Sequence, residues 1–318
     1  MNQWLSGISA TYQGMLLVII FLVIASSAVW LLTVLKPNGQ WSELVARTKS
    51  WWVMAAVFLA AIALDNRKFS ILFFCILSLW ATKEYLNIVR IPEWHKPAII
   101  WSYIIIAMQY YWIMVDWYGM FLIFIPIYAF LFISTRIMLT NKPDLFLGTT
   151  AKIQWGLLAF GLGLSHLGYL INTPEYASLK IDGRTLLLFL VIMTELNDVA
   201  QYFWGKLLGK HKILSLVSPK KTWEGFVGGI ITVVFVGFAI NFLSPFKTFR
   251  EIVLVSFVIS ICGFFGDVVM SAIKRDLSVK DFSAAIPGHG GILDRIDSIC
   301  FTAPVFFHII RYWYWPAG

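Results

Sequence analysis

Two stretches in the last third of the chain gather the residue types that handle phosphate groups. Residues 271–298 read SAIKRDLSVKDFSAAIPGHGGILDRIDS. Lys274, Arg275, Lys280 and Arg295 alternate there with Asp276, Asp281, Asp294 and Asp297, around Pro287-Gly288-His289-Gly290-Gly291. Residues 205–225 read GKLLGKHKILSLVSPKKTWEG, with Lys206, Lys210, Lys212, Lys220 and Lys221 inside sixteen residues. Gly205, Gly209, Ser215, Ser218, Thr222 and Gly225 lie among these lysines and offer close backbone approach and hydroxyl donors to phosphate oxygens. The spacing GxxxxGK[ST] of a P-loop matches nowhere.

Mixed Asp and Lys/Arg around glycine-rich backbone is the equipment of phosphoryl or nucleotidyl transfer. Carboxylate-held metal ions bridge phosphate oxygens, and cationic side chains stabilise the remaining charge. Hard oxygen donors point to Mg²⁺, with room for a second ion. Asp294 and Asp297 are three apart and share a face if helical. A pair of helix-capping acids has the same spacing, but caps do not need a preceding Gly-His-Gly-Gly. His289 is expected to contact phosphate rather than act as a base, because a phosphate nucleophile needs little deprotonation at neutral pH. Two acids interrupt apolar runs, Asp198 beside Glu195 and Asn197, and Asp267 beside Gly263 and Gly266. Carboxylates at such positions usually face a polar cavity or a metal; the plain alternative is a neutralised or snorkelling acid near a helix end.

The elements that must position these residues are membrane helices. Of 318 residues 59% are apolar and 13% charged, about half the charged share of a soluble domain. Gly14–Leu35 contains no ionisable residue and is long enough to span a hydrocarbon core; it reads as a retained helix rather than a signal peptide, since Met1–Gln13 carries no Lys or Arg. Further spans are expected at Trp51–Leu64, Phe69–Thr82, Pro97–Val115, Tyr118–Thr135, Gln154–Ile171, Thr185–Gly205, Gly225–Leu243, Ile252–Met270 and Ile299–Trp315. The first two of these are short, either a hairpin or a re-entrant pair. Lys36–Ser50 reads as an amphipathic stretch along the interface. With the N-terminus outside, loops 36–50, 83–96, 136–153, 206–224 and 271–298 hold 18 of the 25 Lys and Arg, so these loops, and both candidate stretches, face the cytoplasm. The net charge of +8 is then a basic membrane face suited to anionic headgroups, and no nucleic acid partner is expected. Cys75, Cys262 and Cys300 sit in apolar runs as packing residues. The fold expected is an all-α polytopic membrane protein of about ten transmembrane helices: a scaffold over residues 1–183, in which no chemistry is evident, and a catalytic region over 184–318.

The C-terminal stretch resembles the signature of the phosphatidate cytidylyltransferase (CDP-diacylglycerol synthase) family: Ser271-x-x-Lys274-Arg275, Lys280-Asp281, Pro287-Gly288-His289-Gly290-Gly291 and Asp294-Arg295-x-Asp297-Ser298. Asp198, Tyr202, Gly205, Gly209, Lys210, Ser218-Pro219-Lys220-Lys221-Thr222-Trp223-x-Gly225 and Gly266-Asp267 are similar to that family's upstream segments. The resemblance implies a dimeric membrane enzyme in which a lipid phosphate attacks the α-phosphorus of CTP with Mg²⁺ present, at the cytoplasmic face of a bacterial inner membrane. Carried over residue by residue, it implies Asp281, Asp294, Lys280 and Arg295 as catalytic, and Asp198, Asp267, Asp281, Asp294 and Asp297 as metal ligands. Lys210, Ser218, Lys220, Lys221, Thr222, Lys274, Arg275, His289, Gly290 and Gly291 are implied as phosphate contacts. The chain departs from the pattern at Met270, where Glu is usual, at Gln201, where Ala is common, and at Ser283, where Gly is frequent. Phosphatidate is the acceptor the resemblance implies; the departures suggest a divergent branch, with another lipid phosphate, such as an isoprenoid phosphate, as the alternative. A lipid or anion transporter would also carry intramembrane acids and a basic mouth, but the polar residues here cluster at one face and no inverted repeat is visible. A catalytically lapsed relative is opposed by the intact Asp281, Asp294 and Asp297.

Overall fold

The ten apolar segments all fold as helices, and most helices run past the uncharged core that marks them. The computed structural model describes residues 9–36, 41–64, 66–171, 181–286 and 290–315. In chain order the helices are α1 (Ala10–Leu35), α2 (Ser42–Ala63), α3 (Arg67–Ile88), α4 (Pro97–Met114), α5 (Tyr118–Met138), α6 (146–171), α7 (Gly183–Leu207), α8 (Trp223–Ala239), α9 (Phe249–Asp276), the short α10 (Leu293–Ile296) and α11 (Ile299–Tyr314). Seven of them, α1 to α5, α7 and α9, are long and apolar enough to cross a membrane, α4 counting with the turn Glu93–His95 before it. The chain is thus an all-α polytopic membrane protein.

One open alternative is settled and one expectation changes. α2 and α3 have 22 residues each, about 33 Å of helix, so they form two full-length helices rather than a re-entrant pair. Residues 42–50, expected to lie along the interface, are instead the first turns of α2. A helix already forming at Trp51 extends backwards at little cost once its polar residues reach the headgroup region.

α5 and α6 each carry a π-helical segment, Phe124–Ala129 and Leu157–Gly163. Pro126 lies in the first and has no N–H to give the preceding turn. Buried glutamines supply donors instead: Gln109 Nε2 donates to the Phe121 carbonyl at 2.8 Å and Gln154 Nε2 to that of Ile125 at 3.2 Å. These intramembrane amides are therefore accounted for by backbone repair.

Loops expected on the same side meet one another. Lys152 Nζ donates to the Arg90 carbonyl at 3.1 Å, the His95 ring shares a hydrogen bond with the Lys142 carbonyl at 3.2 Å, and Arg275 Nε donates to the Val217 carbonyl at 3.4 Å. At the opposite ends, Thr11 donates to Asp182 at 3.1 Å and Tyr169 to Asp116 at 2.9 Å. Stretch 206–224 is not irregular throughout: β1 (Lys212–Leu214) and β2 (Ser218–Thr222) form an antiparallel hairpin, with Lys212 opposite Thr222 and Leu214 opposite Ser218. The three cysteines are unpaired.

Candidate active site

α7, α9 and the junction of α10 with α11 bring three carboxylates together around one ammonium group. Asp198 lies on α7, Asp267 on α9 and Asp297 at the end of α10. Lys221, at the end of β2, reaches Asp267 Oδ2 at 2.6 Å and lies 3.9 Å from Asp198 Oδ1. Its third contact is Gln201 Oε1 at 2.9 Å. Burial would lower the pKa of Lys221, but the negative charges of Asp267 and Asp198 outweigh it and the net shift is upward. Asp297 is pushed well above the usual carboxylate range, first by burial and then by Asp267 and Asp198. Three acids thus compete for too little positive charge.

Hydrogen bonding in this cage is incomplete. Asp198 Oδ2 accepts from Ser298 Oγ at 2.7 Å, and Asp297 Oδ1 from the Ser298 amide at 2.9 Å. Asp198 Oδ1, Asn197 Oδ1 and Gln201 Nε2 are buried without a hydrogen-bond partner. Buried polar atoms left open are uncommon and mark places where water or a ligand completes the set. The close approach of the α11 start to α9 rests on Gly266, where a Cβ would come within 2.8 Å of the Asp297 carbonyl and 2.9 Å of Ser298 Cα.

Asp294 behaves differently, although only three residues away. It is 5% exposed. Its Oδ1 accepts from Lys274 Nζ at 2.8 Å, and its Oδ2 accepts from the amides of Phe282 and Gly291, both at 2.9 Å. Gly290 beside it has φ +81°, and a Cβ there would lie 2.8 Å from Asp294 Oδ2. The positive φ and the crowding both select glycine.

The other sequence-derived candidates divide by exposure. Lys210, Lys220, Lys280, Asp281 and Arg295 are exposed and make no ion pair among the described residues; Ser218 is half-buried. Arg275 links the two stretches through the carbonyls of Val217 and Val279. His289, with Pro287 and Gly288, lies outside the described residues. Thr222, expected at a phosphate, is buried and caps α8, its Oγ1 accepting from the Gly225 amide at 3.1 Å. Gly205 and Gly225, also read as phosphate-approach residues, let α7 and α8 cross: a Cβ on Gly225 would meet the Gln201 carbonyl at 2.6 Å and Gly205 at 3.1 Å. Helix crossing and helix capping use the same small and hydroxylated residues as phosphate loops, so composition alone does not tell the two uses apart.

One buried acid bonded to the signature stretch was missed. Glu84, in the last turn of α3, is 5% exposed and accepts from Ser283 Oγ at 2.8 Å and from the amides of Ile292 at 3.2 Å and Leu293 at 2.9 Å. The available signal was a lone acid just beyond an apolar span, which reads as easily as an interfacial charge.

The donor chemistry of Asp198, Asp267 and Asp297 suits a hard divalent cation, and the open Asp198 oxygen is where such an ion gains most. As the side chains stand, no group of three His, Cys, Asp or Glu among the described residues is arranged to hold a metal ion, and Lys221 supplies the positive charge.

Together these features define a polytopic helical membrane protein with a transfer site of carboxylates and cations at one face. Residues 45–313 match the cytidylyltransferase family. The chain belongs to that family and is a membrane nucleotidyltransferase. It is 42% identical over 278 residues to "Uncharacterized protein YnbB" of Escherichia coli (strain K12), covering 87% of this chain and 90% of that protein. It is 31% identical over 255 residues to the phosphatidate cytidylyltransferase of Staphylococcus haemolyticus (strain JCSC1435), covering 80% of this chain and 94% of that one. A phosphatidate cytidylyltransferase of Staphylococcus aureus (strain COL) is 39% identical over 127 residues, 40% of this chain and 49% of its own. All of α1 and the first three residues of α2 precede the family match.

Proposed function

We propose that this protein transfers CMP from CTP to a membrane lipid phosphate, phosphatidate being the first acceptor to consider, and releases pyrophosphate. A lipid phosphate oxygen bonds to the α-phosphorus as the bond to the β-phosphate bridging oxygen breaks, and that oxygen leaves with pyrophosphate. The observation that carries the reading is the Asp198–Asp267–Asp297 cage, with its open Asp198 oxygen and its mutual repulsion, in a chain of this family. Asp198, Asp267 and Asp297 would hold Mg²⁺, which when bound supplies charge neutralisation at the phosphates. Lys221, which lies among these acids, would meet the anionic substrate beside them. The exposed Lys210, Lys220, Lys280 and Arg295 draw CTP and the headgroup to the site and stabilise departing pyrophosphate. Asp294 holds the loop through which these groups are presented. The site faces the cytoplasm of a bacterial inner membrane, and the working unit is a homodimer.

A second reading keeps the chemistry and changes the acceptor. Gln201 is buried, bonded to Lys221 and open at Nε2, which gives this chain a donor where related enzymes commonly have alanine. That favours a different lipid phosphate, such as an isoprenoid phosphate. Pyrophosphate release by the detergent-purified protein separates these readings, using CTP, Mg²⁺ and a panel of lipid phosphates with ATP and UTP as controls. CTP-selective release that depends on one acceptor class establishes the reaction and its acceptor; no release with any acceptor refutes the reading.

A further inference from the structure

The half of the chain without motif residues reaches the signature loop at Glu84. Its partners Ser283, Ile292 and Leu293 lie 199 to 209 residues away in sequence. Ile292 and Leu293 open the short α10, and their amides have no acceptor within that helix. Both carboxylate oxygens of Glu84 are occupied: Oε1 by Ser283 Oγ and the Ile292 amide, Oε2 by the Leu293 amide. Gly291 passes between the two anchors. Its amide goes to Asp294 at 2.9 Å, and a Cβ there would collide with Glu84 Oε2 and lie 2.8 Å from Ser283 Oγ. Phe282, Ser283 and residues 291–293 are therefore pinned from two sides, by Asp294 of the same loop and by Glu84 of α3.

Ser283 gives the second anchor an element of its own, since glycine is frequent at this position in the proteins the signature resembles. Its hydroxyl donates to Glu84 and accepts from the Ala285 amide at 3.2 Å. A serine thus converts a backbone clamp into one that also fixes the far arm of the loop.

We propose that Glu84 is a positioning residue for the transfer reaction, holding Ser283, Ile292 and Leu293 in register with the Asp198–Asp267–Asp297 cage, and that Ser283 is its partner in this chain. The proposal rests on the CMP-transfer reading for its kinetic consequence, while the pinning of the loop is independent of that reading. Glu84 touches no reacting atom; its effect passes through Asp294 and Asp297, which follow the pinned amides directly in sequence.

The test uses the full-length protein in detergent, as wild type, Glu84→Ala, Glu84→Gln, Ser283→Gly and the Glu84→Ala/Ser283→Gly double variant. Amide exchange over residues 281–293 should accelerate at least ~10-fold in Glu84→Ala, with bundle helices unchanged, as expected for a local opening. With CTP, Mg²⁺ and the accepted lipid phosphate, kcat should fall ~100-fold in Glu84→Ala while KM for CTP stays within about threefold, the pattern of lost transition-state alignment. Glu84→Gln, which keeps one accepting oxygen, should recover about tenfold of that loss. Ser283→Gly alone should cost about threefold, and the double variant should match Glu84→Ala, because both changes remove one shared interaction. Unchanged exchange in Glu84→Ala, or a Ser283→Gly effect that adds in full to it, overturns the proposal. So does a loss of activity that follows global melting with no rescue by Gln. If Glu84→Ala fails to fold, Ser283→Gly decides through loop exchange. An inactive wild type would refute the transfer reading, leaving exchange alone to uphold or overturn the pinning.

Discussion

Two acidic clusters lie within a few residues of each other, and they are built on opposite principles. The clamp of Asp294 and Glu84 is closed, with all four carboxylate oxygens accepting hydrogen bonds. The cage of Asp198, Asp267 and Asp297 is open. One oxygen of Asp198 has no hydrogen-bond partner, and Asp297 is held well above the usual carboxylate range by burial and by its acidic neighbours. Burying a carboxylate without full compensation is costly, and a fold keeps such a group where something else completes it. The difference separates acids whose hydrogen bonds are complete from acids left open to a further partner, a distinction the DRxD spacing does not reveal.

The largest effect should come from the cage. Asp267→Asn or Asp297→Asn is expected to lower turnover ~10²–10³-fold, a typical loss for one preorganised electrostatic group, while in Asp297→Asn the melting temperature holds or rises as repulsion is relieved. A fall in stability equal to that of a clamp variant would break the comparison. Asp294→Ala should lose activity and stability together: it strands Lys274 and two amides, and removing one partner of a buried pair costs about 3–5 kcal/mol. Denaturation in a mild detergent measures this, and an Asp294→Ala protein as stable as wild type would place Asp294 with the chemistry instead. Lys221→Met should reduce turnover ~10²-fold and lower the Mg²⁺ concentration needed, since the cage loses the cation that competes with a metal while the substrate loses its guide. Gln201→Ala should be the mildest, about tenfold in kcat/KM for the native acceptor from one hydrogen bond to a charged group, with a smaller effect on other lipid phosphates. Equal losses on every acceptor would assign Gln201 to holding Lys221 alone.

The membrane architecture was legible because uncharged runs and loop cations are imposed by the bilayer and survive any detail of packing. The ten segments are helical, and even the short pair at 51–82 failed only in length, because polar ends such as Ser42–Ser50 and Lys83–Ile88 continue a helix already formed. The cage acids were legible for the same reason: an acid such as Asp267 in an apolar run needs an explanation. What sequence hid was the division of labour. Asp294 and Asp297 share a motif, yet one faces backbone amides and the other faces like charges. Thr222 and Gly225 look like phosphate equipment but cap and cross helices. Glu84 was hidden because its partners lie some 200 residues away, and nothing local distinguishes it from an interfacial acid.

The most direct test follows the α-phosphate itself. Purified protein is incubated with α-³²P-labelled CTP, Mg²⁺ and the lipid-phosphate panel, with the Asp267→Asn variant in parallel, and label is counted in the organic phase. The account predicts acceptor-dependent transfer of label to lipid by the wild type and none by the variant. Label that stays in the aqueous phase with every acceptor, or transfer undiminished in Asp267→Asn, would contradict it.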